Sequence, residues 1–106
     1  MDLSHAQSFI CTATSDITKF DLTNLPPGST SFTIKVQQDG IGNRTVGIDN
    51  FSINGSALIP VRWPGGIAPV VTVTADRSDI YSFKIWDGNN AVSEGLYGVI
   101  GGQNFA

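Results

Sequence analysis

The sequence predicts an all-β fold: a single β-sandwich or jelly-roll-like domain of about eight short antiparallel strands. Three observations point there. Apolar and polar residues alternate with period two in short runs. Turn clusters, Leu25-Pro26-Pro27-Gly28, Asp39-Gly40, Asn54-Gly55 and Pro64-Gly65-Gly66 among them, divide these runs at intervals of roughly ten residues. No segment carries a sustained helical period, so no helix is expected anywhere. A chain of 106 residues makes one domain, residues 1–106, with a single modest core.

The elements follow in order. Ser8 to Ala13 alternates with Phe9, Cys11 and Ala13 on one face and reads as the first strand. Ile17 to Thr23 is the second, with Phe20 and Leu22 opposite Lys19 and Asp21. The two prolines of Leu25-Pro26-Pro27-Gly28 fix φ and remove donors, which makes a firm turn. Ser31 to Gln38 shows the cleanest alternation: Phe32, Ile34 and Val36 inward, Ser31, Thr33, Lys35 and Gln37 outward. Asp39-Gly40 opens a hairpin loop to Asn43, from which Thr45 to Phe51 returns as a weaker strand. After Asn54-Gly55, Leu58 to Trp63 is a strand with Pro60 at an edge or bulge. Val70 to Thr74, Ile80 to Asp87 and Leu96 to Ile100 complete the set.

Composition excludes several function classes. The six Lys and Arg residues are scattered singly in a chain of net charge −3, which argues against nucleic acid. No apolar run has the length of a membrane-spanning helix, so no membrane insertion is expected. The single cysteine, Cys11, cannot form an internal disulfide and sits on the core face of its strand. Charged residues make up 14% of the chain, against about 25% in an ordinary domain, a composition common on surfaces that pack against other subunits.

Candidates for chemistry are few. His5 lacks a partnered nucleophile or acid in any recognisable motif and reads as a surface histidine. Asp76-Arg77-Ser78-Asp79 and Asp87-Gly88-Asn89-Asn90 are oxygen-rich, but Asp and Asn are also turn formers, and the bidentate glutamate of a calcium loop is missing. No catalytic residue, metal ligand or cofactor is expected. The sequons beginning at Asn43, Asn50 and Asn54 read as loop composition. The two tryptophans differ. Trp63 shares a face with Ile59 and Val61 and reads as core. Trp86 falls with Ser82 and Lys84 on the polar face of its strand, where it could serve a subunit interface, core under a loop or a sugar platform. With Lys84, Asp87, Asn89 and Asn90 it forms the candidate interface or glycan contact.

Several segments, taken in order, resemble a known family. Phe32-Thr33-Ile34-Lys35-Val36-Gln37-Gln38-Asp39-Gly40 followed by Gly42-Asn43-Arg44-Thr45, then Trp63-Pro64-Gly65-Gly66-Ile67-Ala68-Pro69, Asp79-Ile80-Tyr81-Ser82-Phe83, Leu96-Tyr97-Gly98 and the closing Gln103-Asn104-Phe105 are similar to elements of tailed-phage tail-fibre and virion-decoration β modules, of the kind found in cyanophages and marine phages. The resemblance implies a non-catalytic virion structural protein assembled in a bacterial host's cytoplasm. It implies a homo-oligomer, a trimer in the first instance, with other virion proteins and a host-surface glycan as further partners. It also implies a fragment or distal domain of a longer fibre protein. The family supplies no catalytic residues. Asn89 to Gly95 lengthens a loop that is tighter in its pattern. The alternative reading, from the residues themselves, is a carbohydrate-binding module built on Trp86.

Overall fold

The computed structural model describes residues 1–4, 7–55 and 57–106. Among them run eight strands: β1 (Ser8–Ala13), β2 (Phe20–Leu22), β3 (Thr30–Gln38), β4 (Phe51–Ile53), β5 (Ala57–Ile59), β6 (Val61–Arg62), β7 (Ser78–Ile85) and β8 (Leu96–Phe105). They form a five-stranded sheet in the order β1-β3-β7-β8-β6 and a three-stranded sheet in the order β2-β4-β5. The expectation of a mostly β chain holds. His5 and the third sequon's Ser56 lie outside the described residues.

Alternation places the faces as expected. In β3, Thr30, Phe32, Ile34, Val36 and Gln38 are buried, and in β7 Asp79, Tyr81, Phe83 and Ile85 are. Antiparallel pairing of these strands sets Phe32 opposite Phe83, and their rings stack at 5.2 Å between centroids. Phe51 of the small sheet lies 5.0 Å from Phe83 and 5.3 Å from Phe20, so one aromatic cluster joins the two sheets. Trp63 packs edge-on against Phe83 at 5.6 Å and is buried, as its strand face predicts. Cys11 is half-buried on the inner side of edge strand β1.

Strand direction departs from the expectation. The pairs β1–β3, β2–β4 and β6–β8 are parallel. Between β6 and β8 the antiparallel β7 carries the chain back, while β1–β3 and β2–β4 are each connected through a strand of the other sheet. Period-two alternation records which face a residue takes and carries no information on direction.

Four expected strands change for identifiable reasons. Ile17 to Thr23 shortens to β2, with Ile17 making an isolated parallel bridge to Val46. Thr45 to Phe51 does not return as a hairpin strand because β3 is already flanked by β1 and β7. The buried Gln38 side chain takes over instead: its Nε2 donates to Arg44 O at 2.9 Å and its Oε1 accepts from Arg44 N at 3.0 Å, as a backbone partner would. Pro60 divides Leu58 to Trp63, and the chain changes sheets there, β5 in the small sheet and β6 in the large. Val70 to Thr74 forms no strand; it is held by Thr72 N donating to Asp79 Oδ2 at 2.7 Å and by Val70 and Val73 carbonyls accepting from Gln103 Nε2 and Asn43 N.

The expectation of no helix is also corrected. A 3-10 turn at Gly88–Asn90 runs into the one-turn helix α1 (Ala91–Glu94), and a second 3-10 turn covers Pro64–Gly66. Asp87 starts the first by accepting from Asn89 N at 3.1 Å, and Gly95 ends it at φ +88°. A four-residue helix is too short for its period to register in a sequence.

Candidate functional site

The outward residues of β3, β7 and β8 line up in rows. Register places Thr33, Ser82 and Val99 side by side, and in the next row Ser31, Lys84 and Tyr97. Trp86 follows two residues after Lys84, just beyond the end of β7. These side chains bound an open groove of about 450 Å³ whose floor is the backbone side of Phe32 and Phe83.

The groove has a mixed wall. Trp86 is 59% exposed, and Tyr97 and Val99 present further apolar surface. Between them stand hydroxyls: Thr33 Oγ1 and Ser82 Oγ share a hydrogen bond at 3.2 Å. Lys84 Nζ lies 5.0 Å from the Trp86 ring centroid, a cation–π contact. Tyr97 Oη donates to Glu94 Oε1 at 3.3 Å at the groove's edge. Such a wall offers ring-stacking area beside hydroxyl and ammonium donors, and among the described residues no carboxylate lines it.

The predicted contact residues divide. Trp86 and Lys84 come together in the groove. Asp87, Asn89 and Asn90 stand in the turn after β7, where Asp87 accepts from Asn89 N at 3.1 Å and from Asn90 Nδ2 at 2.9 Å. That turn is pressed against the proline loop: Gly88 N donates to Gly28 O at 3.0 Å, and a Cβ at Gly88 would collide with Pro26 O. These three residues therefore shape the loop and do not line the groove. The groove also draws on Tyr97, Val99 and Thr33, whose outward placement alternation signals in the sequence. Leu96 and Gly98 face inward, so Tyr97 and Val99 must face the same way as Trp86.

Other polar groups lie apart from the groove. Asp79, 1% exposed on the inner face, accepts from Thr72 N, Tyr81 Oη and Asn104 N at 2.7–2.8 Å and from Gln103 Nε2 at 3.3 Å. Burial works to raise its pKa, but these donors outweigh it and hold the carboxyl below its usual range. Burial and the Asp79 carboxylate push the Tyr81 hydroxyl the other way, well above its ordinary value. Asp39 binds the Arg44 guanidinium at 3.0 Å, which, with the Gly42 N–H, lowers its pKa. Among the described residues no cluster of three or more His, Cys, Asp or Glu is placed to hold a metal ion. A second hollow of about 260 Å³ lies between Thr45-Val46 and Pro69–Val73, with Val70 exposed at its rim. No known protein family, curated protein or solved structure matches the chain.

Proposed function

We propose that this chain is a non-catalytic recognition module that holds a carbohydrate on the outer face of its five-stranded sheet. The observation that carries the reading is the pair of aromatic side chains, Trp86 and Tyr97, exposed on one face beside the Thr33–Ser82 hydroxyls and the Lys84 ammonium. Aromatic rings stack on the apolar faces of pyranoses while hydroxyls and charged groups fix orientation. Among the described residues the groove wall holds no acid pair and no nucleophile–base couple, which favours binding over turnover. A glycan screen with the intact chain tests it. Binding should fall at least about tenfold in Trp86→Ala with the fold retained, as loss of a hot-spot aromatic would require. Unchanged glycan binding by that variant would remove the site.

The motif set supports a wider setting, a tail-fibre or capsid-decoration module of a phage virion that assembles as a homotrimer. The exposed Ile41, Ile67 and Val70 give it apolar surface to bury between copies. The aromatic cluster shared by the two sheets supports classing the module as a small sandwich. Absolute mass by light scattering over a range of concentrations decides the assembly. A concentration-independent trimer agrees with it, and a monomer throughout would sink the fibre reading.

A further inference from the structure

We infer that the saccharide taken by the groove is anionic, a uronic- or sialic-acid-type residue whose carboxylate meets the Lys84 ammonium. This rests on the carbohydrate reading above and narrows it. Among the described residues, Lys84 is the only charged side chain in the groove wall, in a chain whose net charge is −3. It stands on the strand between β3 and β8, flanked in register by Ser31 and Tyr97, with its ammonium over the Trp86 ring. Among the described residues it has no carboxylate partner; its one contact is the Trp86 ring, 5.0 Å from Nζ to the centroid.

The other charged side chains next to Tyr97 hydrogen-bond to neutral groups and do not line the wall. Arg62, opposite Tyr97 on β6, donates to the carbonyls of Glu94 and Ser93 at 2.8 and 3.2 Å. Glu94 accepts from Tyr97 Oη at the groove's edge and is not part of the wall. An uncompensated ammonium beside an aromatic platform selects for a ligand carrying negative charge next to a ring with an apolar face. The Thr33–Ser82 hydroxyl pair, one row along, is then placed for the sugar's own hydroxyls.

The test compares matched pairs of ligands on the intact protein by calorimetry or ligand-observed NMR. An oligoglucuronate is set against the corresponding neutral glucan, and sialyllactose against lactose. At about 50 mM salt the acidic member of at least one pair should bind about tenfold more tightly, and about 0.5 M salt should erase most of the difference. Lys84→Met keeps the aliphatic stem against Trp86 while removing the charge, so it should abolish the preference, lowering acidic binding far more than neutral binding. Lys84→Arg should restore the preference. If acidic and neutral partners bind alike, or Lys84→Met leaves the preference untouched, the anionic assignment is wrong while the carbohydrate reading stands. If none of the four ligands binds, with Trp86→Ala matching the parent, both fall together.

Discussion

Replacing Asp79 with asparagine tests the account of how the ends of this fold are tied. Asp79 gathers four donors from three places: Thr72 in the strandless strap, Tyr81 on its own strand, and Gln103 and Asn104 near the end of β8. Asparagine keeps the shape but turns one acceptor oxygen into a donor: with the amide nitrogen at the Oδ1 position Asn104 N alone loses its acceptor, at the Oδ2 position three donors do, and in either case the bonds that remain lose their charge. Each buried donor left unpaired costs about 1–3 kcal/mol, and the bonds lost were charge-assisted. The expected destabilisation at neutral pH is about 3–4 kcal/mol, a large part of the roughly 5–15 kcal/mol that holds a domain together. In thermal terms that is a fall in Tm of about 12–30 °C.

The pH dependence makes the test sharper. Because the folded carboxyl of Asp79 titrates below its unfolded value, its contribution is complete above about pH 4 and fades as pH falls through the depressed folded pKa. Asp79→Asn should therefore flatten part of the acid limb of the stability curve. A residual slope remains from Asp21, whose pKa is lowered by the Gly55 N–H and the Ser52 hydroxyl, and from Asp39. Urea unfolding followed by tryptophan fluorescence and far-ultraviolet dichroism, from pH 7 down to about pH 2.5, supplies both quantities. A variant within about 1 kcal/mol of the parent at pH 7, with an unchanged acid limb, would refute the role assigned to this carboxylate.

Three further outcomes follow from the packing. Gly98→Ala should cost about 1–3 kcal/mol and alter the near-ultraviolet tryptophan signal, since the new Cβ would lie 2.6 Å from Trp63 Cζ3. Phe51→Ala, which empties the junction between Phe20, Phe32 and Phe83, should cost about 3–5 kcal/mol in denaturant unfolding, with Phe51→Leu much milder. The Cys11 thiol, whose pKa burial raises, should react with iodoacetamide at pH 8 more slowly than free cysteine does and recover the full rate in urea.

Faces were legible in the sequence and directions were not. Phe32, Ile34, Val36, Tyr81, Phe83 and Ile85 take the core side because the pleat obliges alternate residues to share a face, and each falls where alternation puts it. The outward position of Trp86 follows from the same count. Strand partners depend on contacts distant in sequence, and nothing near Thr45 records that β1 already occupies the edge of β3. The strap around Val71 looked like a strand because Val71 is buried, but its backbone groups are met by Asp79, Gln103 and Asn43 instead of a ladder. Asp87, Asn89 and Asn90 were legible as a turn. Their grouping with Trp86 was adjacency in sequence, which the capping geometry separates from the groove.

The groove and the core are two sides of one register. Phe32 stacks on Phe83 beneath the sheet, and that pairing fixes Ser31 against Lys84 and Thr33 against Ser82 above it. A slip of one residue between β3 and β7 would exchange the faces, driving Lys84 and Ser82 into the aromatic cluster and Tyr81 and Phe83 into water. Burying an unpaired ammonium and exposing two aromatic rings together make that slip prohibitive, so the register rests on the whole alternation and not on Lys84 alone. It follows that loosening the stack from below, as Phe51→Ala does, weakens the positioning of Trp86 and Tyr97 without touching either. Variants of the groove wall such as Lys84→Met leave the stack unchanged, and this asymmetry separates a binding defect from a folding defect.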